Sequence, residues 1–241
     1  MQNYSKMIGA LAAASALVAG NANAEVEYQL HTGYSSEYLF RGTYQGTDLV
    51  EAGVDASTKW NDLTLSAGLW HGTVNQQKSL APSLKELDVY GAISKDLGFA
   101  TASVGYIAYT YPGLSDVNSQ EISLGLSRDL GFAQASLTYF GTTASSEISG
   151  NNDGYSELAL SRSFELSPCL NLNVASNIGY LVEQGQATAW TTKVALDYGF
   201  AEHAKLSPFV TYSVALSDDN DTIYNRSENE FVAGSMLSVS F

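Results

Sequence analysis

Val26-Glu27-Tyr28-Gln29-Leu30-His31-Thr32-Gly33-Tyr34-Ser35-Ser36-Glu37-Tyr38-Leu39-Phe40-Arg41 separates into two lists by parity. The even positions read Val, Tyr, Leu, Thr, Tyr, Ser, Tyr, Phe, while the odd positions hold Glu27, Gln29, His31, Glu37 and Arg41 with Gly33, Ser35 and Leu39 among them. A period of two kept over this length is a β-strand with one apolar and one polar face, because a helical period of 3.6 would scatter the charges over both faces. The pattern returns in 50–60, where Val50, Ala52, Val54, Ala56 and Trp60 alternate with Glu51, Asp55 and Lys59. It returns again in 170–182 and 188–198, the latter with Lys193 and Asp197 on its polar side.

Working outward, repeated turns punctuate these strands. Ser94-Lys95-Asp96-Leu97-Gly98-Phe99-Ala100 recurs as Ser127-Arg128-Asp129-Leu130-Gly131-Phe132-Ala133, and Asp197-Tyr198-Gly199-Phe200-Ala201 is a weaker third copy. Trp60-Asn61-Asp62-Leu63 and Phe164-Glu165-Leu166-Ser167-Pro168 have the composition of tight turns. Asp62, Asp96, Asp129, Glu165 and Asp197 therefore mark turns spaced 32 to 36 residues apart, and each interval holds a strand, a longer polar loop and a returning strand. The expected strands lie near 26–41, 50–60, 63–71, 85–95, 99–111, 119–128, 132–142, 154–164, 170–182, 188–198, 206–217 and 229–241. Pro82, Pro112, Pro168 and Pro208 all fall in connections or at a strand start, where a missing N–H does no harm. An even set of strands about ten residues long, with short connections at one end and longer ones at the other, predicts an all-β transmembrane up-and-down antiparallel β-barrel of about twelve strands.

Composition fits this and excludes other classes. Only 15% of the 241 residues are charged, whereas 11% are aromatic, with 21 Gly and 15 Tyr. That apolar content argues against disorder, and past residue 24 no apolar run approaches the roughly 18 residues of a membrane-spanning helix. A net charge of −14 argues against nucleic acid as a partner. Lys6, the apolar run Met7–Ala19 and Ala22-Asn23-Ala24 read as a secretory signal peptide over 1–24, leaving a barrel over 25–241. Two aromatic belts are expected on the lipid-facing side. Tyr28, Trp60, Phe132, Phe164, Tyr198 and Phe241 form the one at the turn end. Tyr38, Phe40, Trp70, Tyr109, Tyr111, Tyr139, Tyr155, Tyr180, Trp190 and Phe231 form the one at the loop end. The final alternating strand ending at Phe241 is similar to the terminal signature that the outer-membrane insertion machinery of Gram-negative bacteria reads.

Ser36-Glu37-Tyr38-Leu39-Phe40-Arg41-Gly42-Thr43-Tyr44-Gln45 resembles the first-strand motif of the TorF family of porin-like bacterial outer-membrane proteins. Tyr109-Thr110-Tyr111-Pro112-Gly113, followed by Glu121-Ile122-Ser123-Leu124-Gly125, resembles that family's second hallmark. The resemblance implies fold, outer-membrane location and a pore. It implies no substrate and no catalytic residue.

The residues themselves carry little catalytic chemistry. His31 falls mid-strand on the inner face, His71 at a strand end and His203 in a turn, so no nucleophile–base pair or histidine metal cluster is indicated. Cys169 stands alone. Asp218-Asp219-Asn220-Asp221 and Asn151-Asn152-Asp153-Gly154 are oxygen-rich loop segments that read more readily as solvated tips than as calcium sites. No enzyme, cofactor or metal is expected. The inner-face charges say more. They include Glu27 and Asp197, and the pore-lining candidates Glu37, Arg41, Glu51, Asp55, Lys59, Asp88, Glu121, Glu157 and Lys193. Acids outnumber bases, and twelve strands enclose a space between the plugged eight-stranded barrel and the open sixteen-stranded porin. The expectation is a narrow porin for passive diffusion of small hydrophilic solutes, favouring neutral or cationic ones. Its partners would be outer-membrane lipid, lipopolysaccharide, the insertion machinery through Phe241, and the solutes. The competing reading is a closed structural or surface-binding barrel that works through extracellular loops in adhesion or envelope integrity. A first hairpin loop centred near position 46 would set Arg41 opposite Glu51, and Glu37 opposite Asp55 as two facing acids.

Overall fold

The computed structural model describes residues 25–75, 83–114, 117–145, 154–217 and 228–241. The predicted signal peptide 1–24, Pro82, Asn151 to Asp153, Asp218 to Asp221 and Asn225 to Ser227 lie outside the described residues. Twelve strands follow in chain order: β1 (Val26–Phe40), β2 (Thr43–Trp60), β3 (Leu63–Val74), β4 (Leu84–Asp96), β5 (Thr101–Thr110), β6 (Ser119–Asp129), β7 (Gln134–Ser145), β8 (Tyr155–Ser167), β9 (Leu170–Leu181), β10 (Gln186–Gly199), β11 (Ala204–Ala215) and β12 (Glu230–Ser240). Each pairs antiparallel with its sequence neighbours, and β1 pairs with β12, so the sheet is a closed barrel. The Tyr28 N–H donates to the Phe241 carbonyl at 3.2 Å and the Phe241 N–H returns a bond to the Tyr28 carbonyl at 2.9 Å, sealing the seam at the turn end. Closure leaves no edge strand with unpaired backbone groups.

The repeated sequence is a repeated turn. In the first two copies the Asp96 and Asp129 carboxylates accept the Gly98 and Gly131 N–H, each at 2.7 Å. Those glycines have φ of 84° and 83°, a left-handed conformation open to a residue without Cβ. The weaker third copy does something else: Asp197 accepts the Lys205 ammonium at 2.8 Å across the β10–β11 hairpin.

Alternation decides what each face meets. From Leu30 on β1 to Leu237 on β12, every strand places at least one large apolar side chain on the outer surface. An apolar surface running around the whole barrel is far beyond what a monomer in water exposes, and it suits hydrocarbon. The six turn-end aromatics are exposed as expected, from 39% for Tyr28 to 68% for Phe241. The loop-end set divides. Tyr139, Tyr180, Trp190 and Phe231 lie outside, but Tyr38, Phe40, Trp70, Tyr109, Tyr111 and Tyr155 lie inside the barrel. Register gives the reason: Trp70 pairs with Asp88, which pairs with Tyr109, and directly paired residues share a face. The expectation of a complete second lipid-facing belt is therefore corrected.

The first hairpin is also corrected. β2 begins at Thr43, seven residues before the expected strand, because Arg41 and Gly42 alone make the turn, with φ of 53° and 80°. Two positive φ values are what a two-residue type I′ turn requires. Glu37 therefore pairs with Thr47, Glu51 with Gly33 and Asp55 with Gln29, and the predicted pairs Arg41–Glu51 and Glu37–Asp55 do not form. Up to Tyr38 the slide amounts to an even number of positions, so the faces are kept although every partner changes, and a one-residue register shift follows between Tyr38 and Leu39.

Candidate functional site

The inner wall is polar and concentrates its carboxylates toward the loop end. Glu37, Arg41, Glu51, Asp88, Glu157 and Lys193 line a cavity of about 300 Å³ with Tyr38, Trp70, Tyr109, Phe140, Tyr155 and Phe209 between them. Of the nine residues read from the sequence, these six meet around one space. Glu121 stands behind Arg41, Asp55 lies outside the cavity lining, and Lys59 is exposed at the turn end of β2.

Aromatic donors hold the carboxylates. The Trp70 indole N–H donates to Glu51 at 2.7 Å, and the Tyr90 hydroxyl donates to Asp55 at 2.8 Å. The Tyr109 hydroxyl donates to Glu121 at 3.0 Å, and the Tyr111 hydroxyl donates to Glu86 at 3.0 Å. Glu157 accepts from the Tyr155 hydroxyl at 3.2 Å and from the Asn177 amide at 2.6 Å. All but the Asn177 bond tie a ring to an acid on the inner face, and that is why these tyrosines and the tryptophan turn inward: a ring supplies bulk to fill the mouth and a polar end for the acid. His31, on the inner face of β1, brings Nδ1 to 3.3 Å from Asp55.

The tip of the first hairpin crosses this space. The Arg41 guanidinium donates Nη1–H to Glu121 Oε1 at 3.0 Å and Nη2–H to Glu121 Oε2 at 2.6 Å. Its central carbon lies 4.9, 4.6 and 4.3 Å from the ring centroids of Phe40, Phe140 and Tyr155. On the other side the Gly42 carbonyl accepts the Ser213 hydroxyl at 2.9 Å. A Cβ at Gly42 would stand 2.5 Å from the Ala189 Cβ, so the turn is wedged against β10 and β11 while its arginine reaches β6. The two stretches singled out by resemblance, one around Arg41 and one around Tyr109 and Glu121, thus meet in space although Arg41 and Glu121 are 80 residues apart.

Charge on the inner wall remains acidic after pairing. Arg41 is matched by Glu121 and Lys205 by Asp197, and the Lys193 ammonium sits over the Phe209 ring at 3.8 Å. One oxygen each of Glu86, Asp88 and Glu157 is buried with no hydrogen-bond partner in the protein among the described residues. Glu86 is absent from the sequence-derived set and is among the most deeply buried side chains, 2% exposed. Its signal was present: Glu86, Asp88 and Tyr90 keep a strict period of two on β4. Lys205 was missed because its strand begins two residues before the expected start. Among the described residues no group of three or more His, Cys, Asp or Glu side chains is placed to hold a metal ion.

Residues 19–229 match the model of a family described as a bacterial protein of unknown function, Gcw_chp. No curated protein matches the chain in sequence. Among solved structures the barrel is similar to an outer membrane channel from Pseudomonas putida F1, with a TM-score of 0.56 at 12% identity over 100% of both chains. It is similar to the KdgM porin, with a TM-score of 0.53 at 10% identity over 88% of this chain and 99% of that one. The NanC porin gives a TM-score of 0.50 at 13% identity over 89% and 98%. At these identities the likeness is one of fold.

Proposed function

We propose, for a chain that belongs to the Gcw_chp family of bacterial proteins, that it forms an outer-membrane channel through which small hydrophilic solutes diffuse, neutral and cationic ones in preference to anions. The observation that carries this reading is the pairing of a continuous apolar exterior with an acid-lined interior cavity in one closed barrel. An apolar exterior needs lipid around it. An acid-rich, partly desolvated lumen attracts cations and repels anions. One buried oxygen each of Asp88 and Glu157 has no hydrogen-bond partner in the protein among the described residues, a polar burial whose cost an entering cation relieves. Channels and porins of similar fold support the reading, as does the resemblance of the Arg41 and Tyr109 stretches to the TorF family. The partners this implies are outer-membrane lipid and lipopolysaccharide around the barrel, and the insertion machinery at Phe241.

One observation favours a second reading. The Arg41–Gly42 turn touches both β6 and the β10–β11 wall, as a barrel closed for a structural or surface-binding role would require. Planar-bilayer recording separates the two. A channel gives discrete conductance steps and a cation-selective reversal potential under a salt gradient. Silence at every voltage favours the closed barrel, and an anion-selective reversal potential overturns the solute preference.

A further inference from the structure

Arginine is poorly suited to the first position of its own turn. At φ 53° it occupies a left-handed region in which Gly, Asn or Asp meets less steric opposition. Backbone strain of this kind persists where the surroundings enforce it and clusters at ligand clamps and switches. Here the surroundings are the ring faces and the carboxylate around the guanidinium. Arg41 and Glu121 side chains are 6% and 5% exposed, and the fork of two N–H groups meets both oxygens of one carboxylate. The guanidinium carbon lies within 4.6 Å of the Phe140 and Tyr155 ring centroids, and the Tyr109 hydroxyl also donates to Glu121.

Tyr109, Glu121, Phe140 and Tyr155 belong to β5, β6, β7 and β8, not to the hairpin. They make a receptor for a planar cation that is built by the barrel wall, with Arg41 as its resident occupant. The receptor also opens on the interior cavity, because Arg41, Tyr109, Phe140 and Tyr155 line that cavity together with Asp88 and Glu157. A cationic solute drawn in by those two acids therefore stands beside the receptor.

We propose that this receptor is a binding site for solutes bearing a guanidinium group, which take it by exchanging with Arg41 and so free the hairpin turn from β6. Exchange is the favourable route because it replaces one guanidinium by another and leaves the buried Glu121 carboxylate paired. Guanidinium is preferred over ammonium, since a compact point charge neither spans both carboxylate oxygens nor offers a planar face to an aromatic ring. The gating half of the proposal rests on the channel reading, whereas the binding half does not.

The test titrates guanidinium chloride, at concentrations far below denaturing, into the detergent-solubilised full-length barrel by calorimetry, with sodium chloride at equal ionic strength as reference. Arg41→Ala empties the receptor and is expected to bind guanidinium saturably and more tightly than the wild type. Adding Glu121→Gln in the same chain should weaken that binding about tenfold or more. Arg41→Lys, which keeps the charge without the fork, should bind with intermediate strength and serves if the alanine variant fails to fold, as judged by heat-shifted migration on gels. Absence of saturable heat in the variant that folds, or equal binding after Glu121→Gln, overturns the site. Guanidinium binding to a barrel that never conducts leaves the receptor standing and removes the channel. Conductance without binding does the reverse.

Discussion

The turn end of the barrel keeps its aromatic belt on the outside, whereas the loop end divides the same residue types between outside and inside. At the turn end Tyr28, Trp60, Phe132, Phe164, Tyr198 and Phe241 all face outward, where amphipathic rings suit the boundary between hydrocarbon and headgroups. At the loop end Trp70, Tyr109 and Tyr155 are 5%, 6% and 1% exposed and fill the mouth from within. The outer rings occupy a surface, and the inner ones are structural: they narrow the lumen and aim hydroxyl or indole hydrogens at Glu51, Glu121 and Glu157. An aromatic at a strand end therefore has no fixed meaning. For Trp70, Tyr109 and Tyr155 a parity shared with an inward acid turns the ring inward, and for Tyr38 and Phe40 the register irregularity after Tyr38 accompanies the same turn.

The largest effect that would sharpen this contrast comes from truncating one ring on each side of it. Tyr155→Ala removes a fully buried ring from beneath Arg41 and the hydroxyl that Glu157 accepts, and should cost about 3–5 kcal/mol, as aromatic truncation in a packed interior does. Phe132→Ala, at the exposed turn end, should cost a small fraction of that. Denaturant titration of barrels refolded in lipid vesicles measures both, and equal losses would erase the distinction between the two ends.

A somewhat smaller effect is expected from neighbours on one strand. Val54 pairs with Leu30 and Leu69, which both lie on the outer surface. Val54→Arg should then impair insertion by about 2–4 kcal/mol if the position reaches the bilayer midplane. Asp55→Asn, one residue on, keeps an acceptor for Tyr90 and should insert as the wild type does. Gel shift on boiling reads the folded fraction, and an insertion defect in Asp55→Asn matching that of Val54→Arg would show the face assignment of β2 to be wrong.

The smallest effect belongs to the turn between β2 and β3. Asp62 meets the Lys95 ammonium at 2.5 Å in the open, and that hydrogen bond, with help from the turn backbone, holds its carboxyl below the ordinary range. A lowered carboxylate pKa contributes stability that is present above the ordinary value and lost as pH falls through the lowered one. Asp62→Asn should therefore flatten a slight stability decline confined to acid pH. The effect should fade in high salt, because exposed pairs are screened. A large change at neutral pH would mean that the turn-end surface is more than a lipid boundary.

Much of this was legible along the chain. Twelve strands, their alternation and the six-residue turn-end belt follow from period two and from turn composition, which are local properties of neighbouring residues. The near-identical turns at Asp96 and Asp129 adopt the same hydrogen-bonded form because both carry Asp-Leu-Gly-Phe-Ala. Glu51, Asp88, Glu157 and Lys193 line the cavity from strands whose period of two is visible along the chain. Glu86 needed only the same parity extended by one step.

Sequence by itself could not place Arg41. Alternation along the chain leaves 42–49 as a loop centred near position 46, whereas the choice of Arg41–Gly42 as the turn depends on how far β1 and β2 zip together. Nor could it pair Arg41 with Glu121. Alternation says that both point inward, but which inward residues meet across a lumen depends on the strand number, the stagger accumulated around the closed sheet and the inward reach of the hairpin. Local pattern thus determined the barrel and its two faces, and closure of the sheet decided which charges and rings share its interior.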